Sequence, residues 1–96
     1  MATTATVSSV GDAATTTSLI AANADRTGLI ITNTSTAILY ILLGTGTAST
    51  TNHSWVVAAS GGQINLSDFS GRCWKGAVQG IWASDAGGVA LITELE

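Results

Sequence analysis

Two apolar runs, residues 29–31 and 38–43, flank the cluster Asn33-Thr34-Ser35-Thr36-Ala37, whose polar side chains readily bond their own backbone. That spacing predicts a β-hairpin across residues 26–44. Its second run is apolar on both faces of the pleat, with Ile38, Tyr40 and Leu42 on one side and Leu39, Ile41 and Leu43 on the other. A strand of this kind needs cover on both sides. Further along, His53, Trp55, Val57 and Ala59 alternate with Ser54, Val56 and Ala58. After the break at Gly61-Gly62, Ile64 and Leu66 face in while Gln63 and Asn65 face out, which predicts a second hairpin. Residues 72–82 place Trp74, Val78 and Trp82 on one face, with Gly76 and Gly80 between them as room for a large ring or a bulge. The turn Ser84-Asp85-Ala86-Gly87-Gly88 then leads into residues 89–95, with Val89, Leu91, Thr93 and Leu95 on one face, a third hairpin.

The remaining segments are weaker in pattern. Residues 15–20 predict a short β-branched strand in preference to a helical turn over residues 19–24. Residues 44–52 contain two glycines and no large apolar side chain, so an exposed loop is expected, and residues 67–71 form another turn. In residues 1–14 the valines Val7 and Val10 are too widely spaced for alternation, which predicts a flexible arm that orders on contact. The expected architecture is all-β: an antiparallel β-sandwich or small jelly roll of six to eight short strands over residues 15–96, preceded by the arm.

Composition sharpens this picture. Only 9% of the 96 residues are charged, against about 25% in an average soluble domain, while 46% are hydrophobic. Few charges remain to cover the surface, and a domain of this size gains from burial against a partner. With 11 glycines and no proline, the turns rely on Gly, Asn and Asp. The net charge of -3 leaves Arg26, Arg72 and Lys75 as the only cations, too few to neutralise a row of phosphates, so nucleic acid is not an expected partner. The longest apolar run, residues 37–43, is far short of the roughly 20 residues of a membrane helix, and residues 1–19 lack the charge and apolar core of a secretory signal. A cytoplasmic site of synthesis is expected, which a single cysteine, Cys73, also fits.

Candidate chemistry is sparse. His53 has no second imidazole or paired cysteine at ligand spacing, so no metal or other cofactor is expected. Cys73 has cationic neighbours but no general base close in sequence, and a buried, incidental thiol is the favoured reading over a nucleophile. Trp55 and Trp82 are assigned to the core or to a subunit seam, and Trp74, flanked by Arg72 and Lys75, is the candidate exposed aromatic. Those three form the one cationic knot on an acidic chain, suited to an acidic protein surface.

Four stretches, the Arg-led strand ending in Asn-Thr-Ser at residues 26–35, Leu39-Tyr40-Ile41 leading to Gly44, Gly80-Ile81-Trp82-Ala83, and Thr93-Glu94-Leu95, resemble small virion structural proteins of tailed bacteriophages. The resemblance implies a non-enzymatic decoration, or cement, protein on the capsid exterior, with the major capsid protein as partner and a homotrimer as the favoured assembly. Thr3, Thr4, Val7, Val10, Arg72, Trp74 and Lys75 are the candidate capsid contacts by their chemistry, and Leu39, Tyr40, Ile41, Trp55 and Trp82 the candidate subunit interface. A tail, neck or fibre accessory, including a carbohydrate- or receptor-binding module with Trp74 or Trp55 as platform, is the alternative.

Overall fold

The computed structural model describes residues 4–66 and 73–96. Eight strands run in chain order: β1 (Ala5–Gly11), β2 (Thr17–Ile20), β3 (Gly28–Asn33), β4 (Leu39–Leu43), β5 (Trp55–Val57), β6 (Gly62–Asn65), β7 (Val78–Trp82) and β8 (Val89–Leu95). They form two antiparallel four-stranded sheets, ordered β1-β8-β3-β6 and β2-β7-β4-β5, packed as a sandwich with jelly-roll order. The core follows from strand alternation: Leu29, Ile31, Ile64, Ala90 and Ile92 point inward from the first sheet, and Leu19, Leu39, Ile41, Val57, Val78 and Trp82 from the second. Glycine at position 80 is dictated by this packing, because a Cβ there would stand 2.9 Å from Leu19 Cδ1 and 3.0 Å from Leu39 Cδ1.

The three expected hairpins are a different motif. β3 and β4, β5 and β6, and β7 and β8 lie in opposite sheets, so each turn arches over an end of the core and does not reverse within one sheet. Only β4 and β5 are consecutive strands that pair with each other. The first arch shows why the turn residues misled: Asn33 is buried, its Nδ2 donating to Ala37 O at 2.8 Å and Ala58 O at 3.2 Å. Its Oδ1 accepts the Ser35 N–H at 3.2 Å and Trp82 Nε1–H at 3.1 Å. A side chain that satisfies backbone groups in this way serves an arch as well as a hairpin.

Residues 5–11, expected as an arm, form a strand of the first sheet. β1 pairs with β8 along its whole length, from Ala5 opposite Leu95 to Gly11 opposite Val89. Hydrogen bonding to β8 replaces the missing apolar alternation; Val10 packs against the core while Val7 points out. The strand expected over residues 72–82 begins only at Val78, and the turn expected at residues 67–71 lies outside the described residues.

Two polar clamps close the ends of the sandwich. Arg26 has no exposed surface: its Nε–H donates to Glu94 Oε2 at 2.8 Å, Nη1 to Trp74 O and Gly76 O at 3.0 and 2.9 Å, and Nη2 to Ala21 O at 2.7 Å. Lys75 Nζ donates to the carbonyl of Arg26. At the other end, the Asp12 carboxylate accepts the Ser35 hydroxyl at 2.6 Å and the N–H groups of Gly88, Gly87 and Ala86 at 3.0, 3.1 and 3.2 Å.

The Ser35 hydroxyl, helped by those three amides and opposed by desolvation, holds the Asp12 carboxyl below its ordinary value. A depressed folded-state value means that this contribution to stability is fully present above about pH 4 and is lost as the pH falls through the lowered value. Urea midpoints measured from neutral pH to about pH 2 should therefore drop more steeply in acid for the wild type than for Asp12→Asn, which has no carboxyl to protonate.

Candidate interaction surface

The outer face of the second sheet carries the apolar residues that β4 has to spare. Tyr40 lies opposite Val56 of β5 on one side and Ile81 of β7 on the other, so one row across these three strands is apolar and aromatic. Ile38 stands on the same pleat face at the head of β4, and Leu42 at its far end.

Residues 44–54, between β4 and β5, fold back toward this face. Ala48, which is buried, donates its N–H to Thr16 Oγ1 at 3.1 Å, and Gly46 lies so close to Leu42 that a Cβ would stand 3.2 Å from Leu42 Cδ2. The His53 ring packs on Tyr40 with centroids 4.9 Å apart, and its Nδ1 lies 3.1 Å from Ser49 O. The loop expected to be wholly exposed thus screens Leu42 and part of Tyr40. What it leaves uncovered on this face is Ile38 at 40% exposure and Val56 at 47%; Trp55, on the opposite pleat face of the edge strand β5 with Ile41 and Val57, is 57% exposed where that strand ends the sheet. Large apolar side chains grouped in this way mark association surfaces more often than scattered ones do.

The structure separates the five residues assigned to a subunit interface. Leu39, Ile41 and Trp82 are interior to the protomer, sealed between the sheets, and offer no side-chain surface to a second subunit. Tyr40 and Trp55 do reach the surface, on adjacent strands. Ile38, Val56 and Ile81 share the outer face with Tyr40, whereas Trp55 projects from the other face of β5 at the sheet edge; Val56 and Ile81 could be found only from the pairing of β5 and β7 with β4, which the linear pattern does not give.

Of the candidate capsid contacts, Thr3 and Arg72 lie outside the described residues. Thr4 and Lys75 are exposed at the same end of the sandwich, linked through Glu96 and Asn23: Thr4 and Glu96 exchange backbone bonds of 3.3 and 2.9 Å, Asn23 Nδ2 donates to Glu96 Oε2 at 3.0 Å, and Asn23 N–H donates to Lys75 O at 2.9 Å. Trp74 is not the exposed platform expected of it. Its ring lies over Gly76, where a Cβ would be 2.6 Å away, packs against the core, and donates Nε1–H to Ala77 O at 3.1 Å. Val7 and Val10 sit along β1, away from that end.

Reactive groups are held quiet. Burial pushes the Cys73 thiol up, outweighing Arg26 and Lys75, and its Sγ–H donates to Trp74 O at 3.2 Å. Among the described residues no three His, Cys, Asp or Glu side chains gather to hold a metal ion, and no helix is long and apolar enough to cross a membrane. A hollow of about 300 Å³ beside β6 is lined, among the described residues, by Ile30, Gln63, Ile64 and Asn65, with no titratable group.

Comparison of the chain with protein-family models, with curated proteins and with solved structures finds no match in any of the three. The surface is therefore characterised by its own chemistry: an apolar outer face of Ile38, Tyr40, Val56 and Ile81, meeting the edge strand from whose other face Trp55 projects.

Proposed function

We propose that this protein is a non-enzymatic structural subunit of a tailed-bacteriophage virion, a decoration or cement protein made in the host cytoplasm that stabilises the shell from outside. The observation that carries this reading is the uncovered apolar surface on a sandwich so poor in charge. Tyr40, Trp55 and Val56 form the seam between subunits, with a trimer as the favoured assembly, and the end bearing Thr4 and Lys75 meets the major capsid protein. Added burial is the mechanism. Covering the exposed part of Trp55 alone, on the order of 100 Å², contributes about 2.5 kcal/mol, and repetition over many equivalent sites multiplies that gain against internal pressure.

The test is Val56→Lys, which places a charge on the outer face without touching the core. Analytical ultracentrifugation should show the seam lost, co-sedimentation with assembled capsid shells should weaken by tenfold or more, and the unfolding midpoint should stay within about 0.5 kcal/mol of wild type. Unchanged assembly and unchanged shell binding would overturn the reading. The exposure of Trp55 favours one alternative, a glycan- or receptor-binding accessory of the tail or fibre, in which this ring stacks on a sugar. Because Trp82 is buried and Trp74 half-buried, Trp55 fluorescence should respond across a glycan panel if that alternative holds.

A further inference from the structure

Four strands form the edges of the two sheets, and three of them are blunted. β5 has three residues, β6 has four, and β2 has four with a bulge between Ser18 and Ile20. Short and bulged edges resist pairing with another chain. β1 is different: seven residues in unbroken register with β8, no proline, and no charged side chain before Asp12.

The direction of its free backbone groups follows from the ladder. Thr4 and Glu96 exchange two backbone bonds, and Asp12 N–H donates to Gly88 O at 2.9 Å, so even-numbered residues of this strand bond to β8. Ala5, Val7, Ser9 and Gly11 therefore turn their N–H and C=O groups to an edge that no other strand among the described residues covers. Nothing in the side chains forbids a partner there.

We propose that a second copy of this chain docks antiparallel on β1, about a two-fold axis at Ser8, and fuses the two first sheets into one continuous eight-stranded sheet. Ala5 then stands opposite Gly11 of the other copy and Val7 opposite Ser9, which brings about eight new backbone hydrogen bonds. Ser8 meets Ser8 at the axis. On the outer pleat face the row runs from Thr93 through Val7 to Ser9 and Leu91 of the second copy, so Val7, 64% exposed, and Leu91, 38% exposed, gain partial cover.

The strand is its own complement about Ser8, which makes a second copy the occupant: run antiparallel to itself, it meets every outward N–H and C=O of Ala5, Val7, Ser9 and Gly11. Each protomer carries -3, yet the strand itself is neutral, so two identical acidic molecules approach here without opposing charges. Asp12, at the end of the strand, already has its carboxylate engaged by Ser35 and three amides. A strand of about 23 Å covers only a few hundred Å² per copy, which places the contact at the weak end of specific interfaces. A micromolar, concentration-dependent dimer is expected.

The experiment uses the full chain carrying Val56→Lys, so that the seam proposed above cannot contribute, in sedimentation runs over a concentration series. A reversible dimer should appear. Ser9→Pro in that background removes one outward N–H and no bond to β8, and should raise the dissociation constant at least tenfold with the urea midpoint unchanged. Ser8→Cys should give a disulfide-linked dimer on mild oxidation, since directly opposed, non-bonded residues lie about 4.5 Å apart at Cα. A species that stays monomeric at every concentration and resists this cross-link would overturn the proposal. So would a Ser9→Pro defect seen only in binding to capsid shells, which would give the edge to a different protein.

Discussion

Arg26→Met is expected to cost about 4 kcal/mol, a large part of the roughly 5–15 kcal/mol that holds a domain of this size together. The substitution keeps most of the apolar stem and deletes the donors that join Glu94 of β8, Ala21 before β3, and Trp74 and Gly76 before β7. Removing one partner of a buried pair leaves the others desolvated, which is why the loss exceeds that of a surface ion pair. Glu94→Gln should cost less, about 1–2 kcal/mol, because an amide oxygen can still accept from Nε and the three carbonyl acceptors remain. Urea unfolding followed by tryptophan fluorescence measures both, and the double variant should lose less than the sum. Equal small losses for Arg26→Met and a distant surface substitution would show that the clamp contributes nothing.

Trp82→Ala comes next, at about 4 kcal/mol, from the cavity left between the sheets and from Asn33 Oδ1 losing the indole N–H. Trp82→Phe isolates the polar part: the ring is smaller and the donor is gone, for about 1–2 kcal/mol. The pair of variants also separates two locations for this residue. An interior tryptophan destabilises the fold on truncation and leaves the seam chemistry alone, whereas one at a subunit interface would yield a folded monomer. Calorimetry together with sedimentation distinguishes the two, and the closed environment of Trp82 predicts the first.

Much of the fold could be read directly from alternation. Leu29 and Ile31, and Ile64 and Leu66, are buried where the period of two places them. Sheet membership could not be read, because Asn33-Thr34-Ser35 and Gly87-Gly88 meet the needs of a turn whether the chain reverses in one sheet or crosses to the other. β1 escaped notice because its stability comes from a backbone ladder with β8, a long-range partner that leaves no apolar signature in residues 5–11. The tryptophans exchanged places for local reasons. Trp74 sits between two cations in sequence, but Gly76 supplies a bed for its ring; Trp55 alternates correctly for the core, but its strand has only three residues at a sheet edge. Arg26 gave no sign of burial, since an isolated cation in sequence resembles a surface residue until three chain segments converge on it.

The crossing of nearly every connection between sheets has a consequence for how the protein is born. No strand except β4 can close against its immediate successor, so almost all pairing waits for distant segments and the loop-closure entropy falls due before the contacts that repay it. Residues 5–11 have no strand partner until residues 89–95 have left the ribosome. Folding should accordingly be slow for so few residues, with a free β1 exposed on the nascent chain until β8 has emerged.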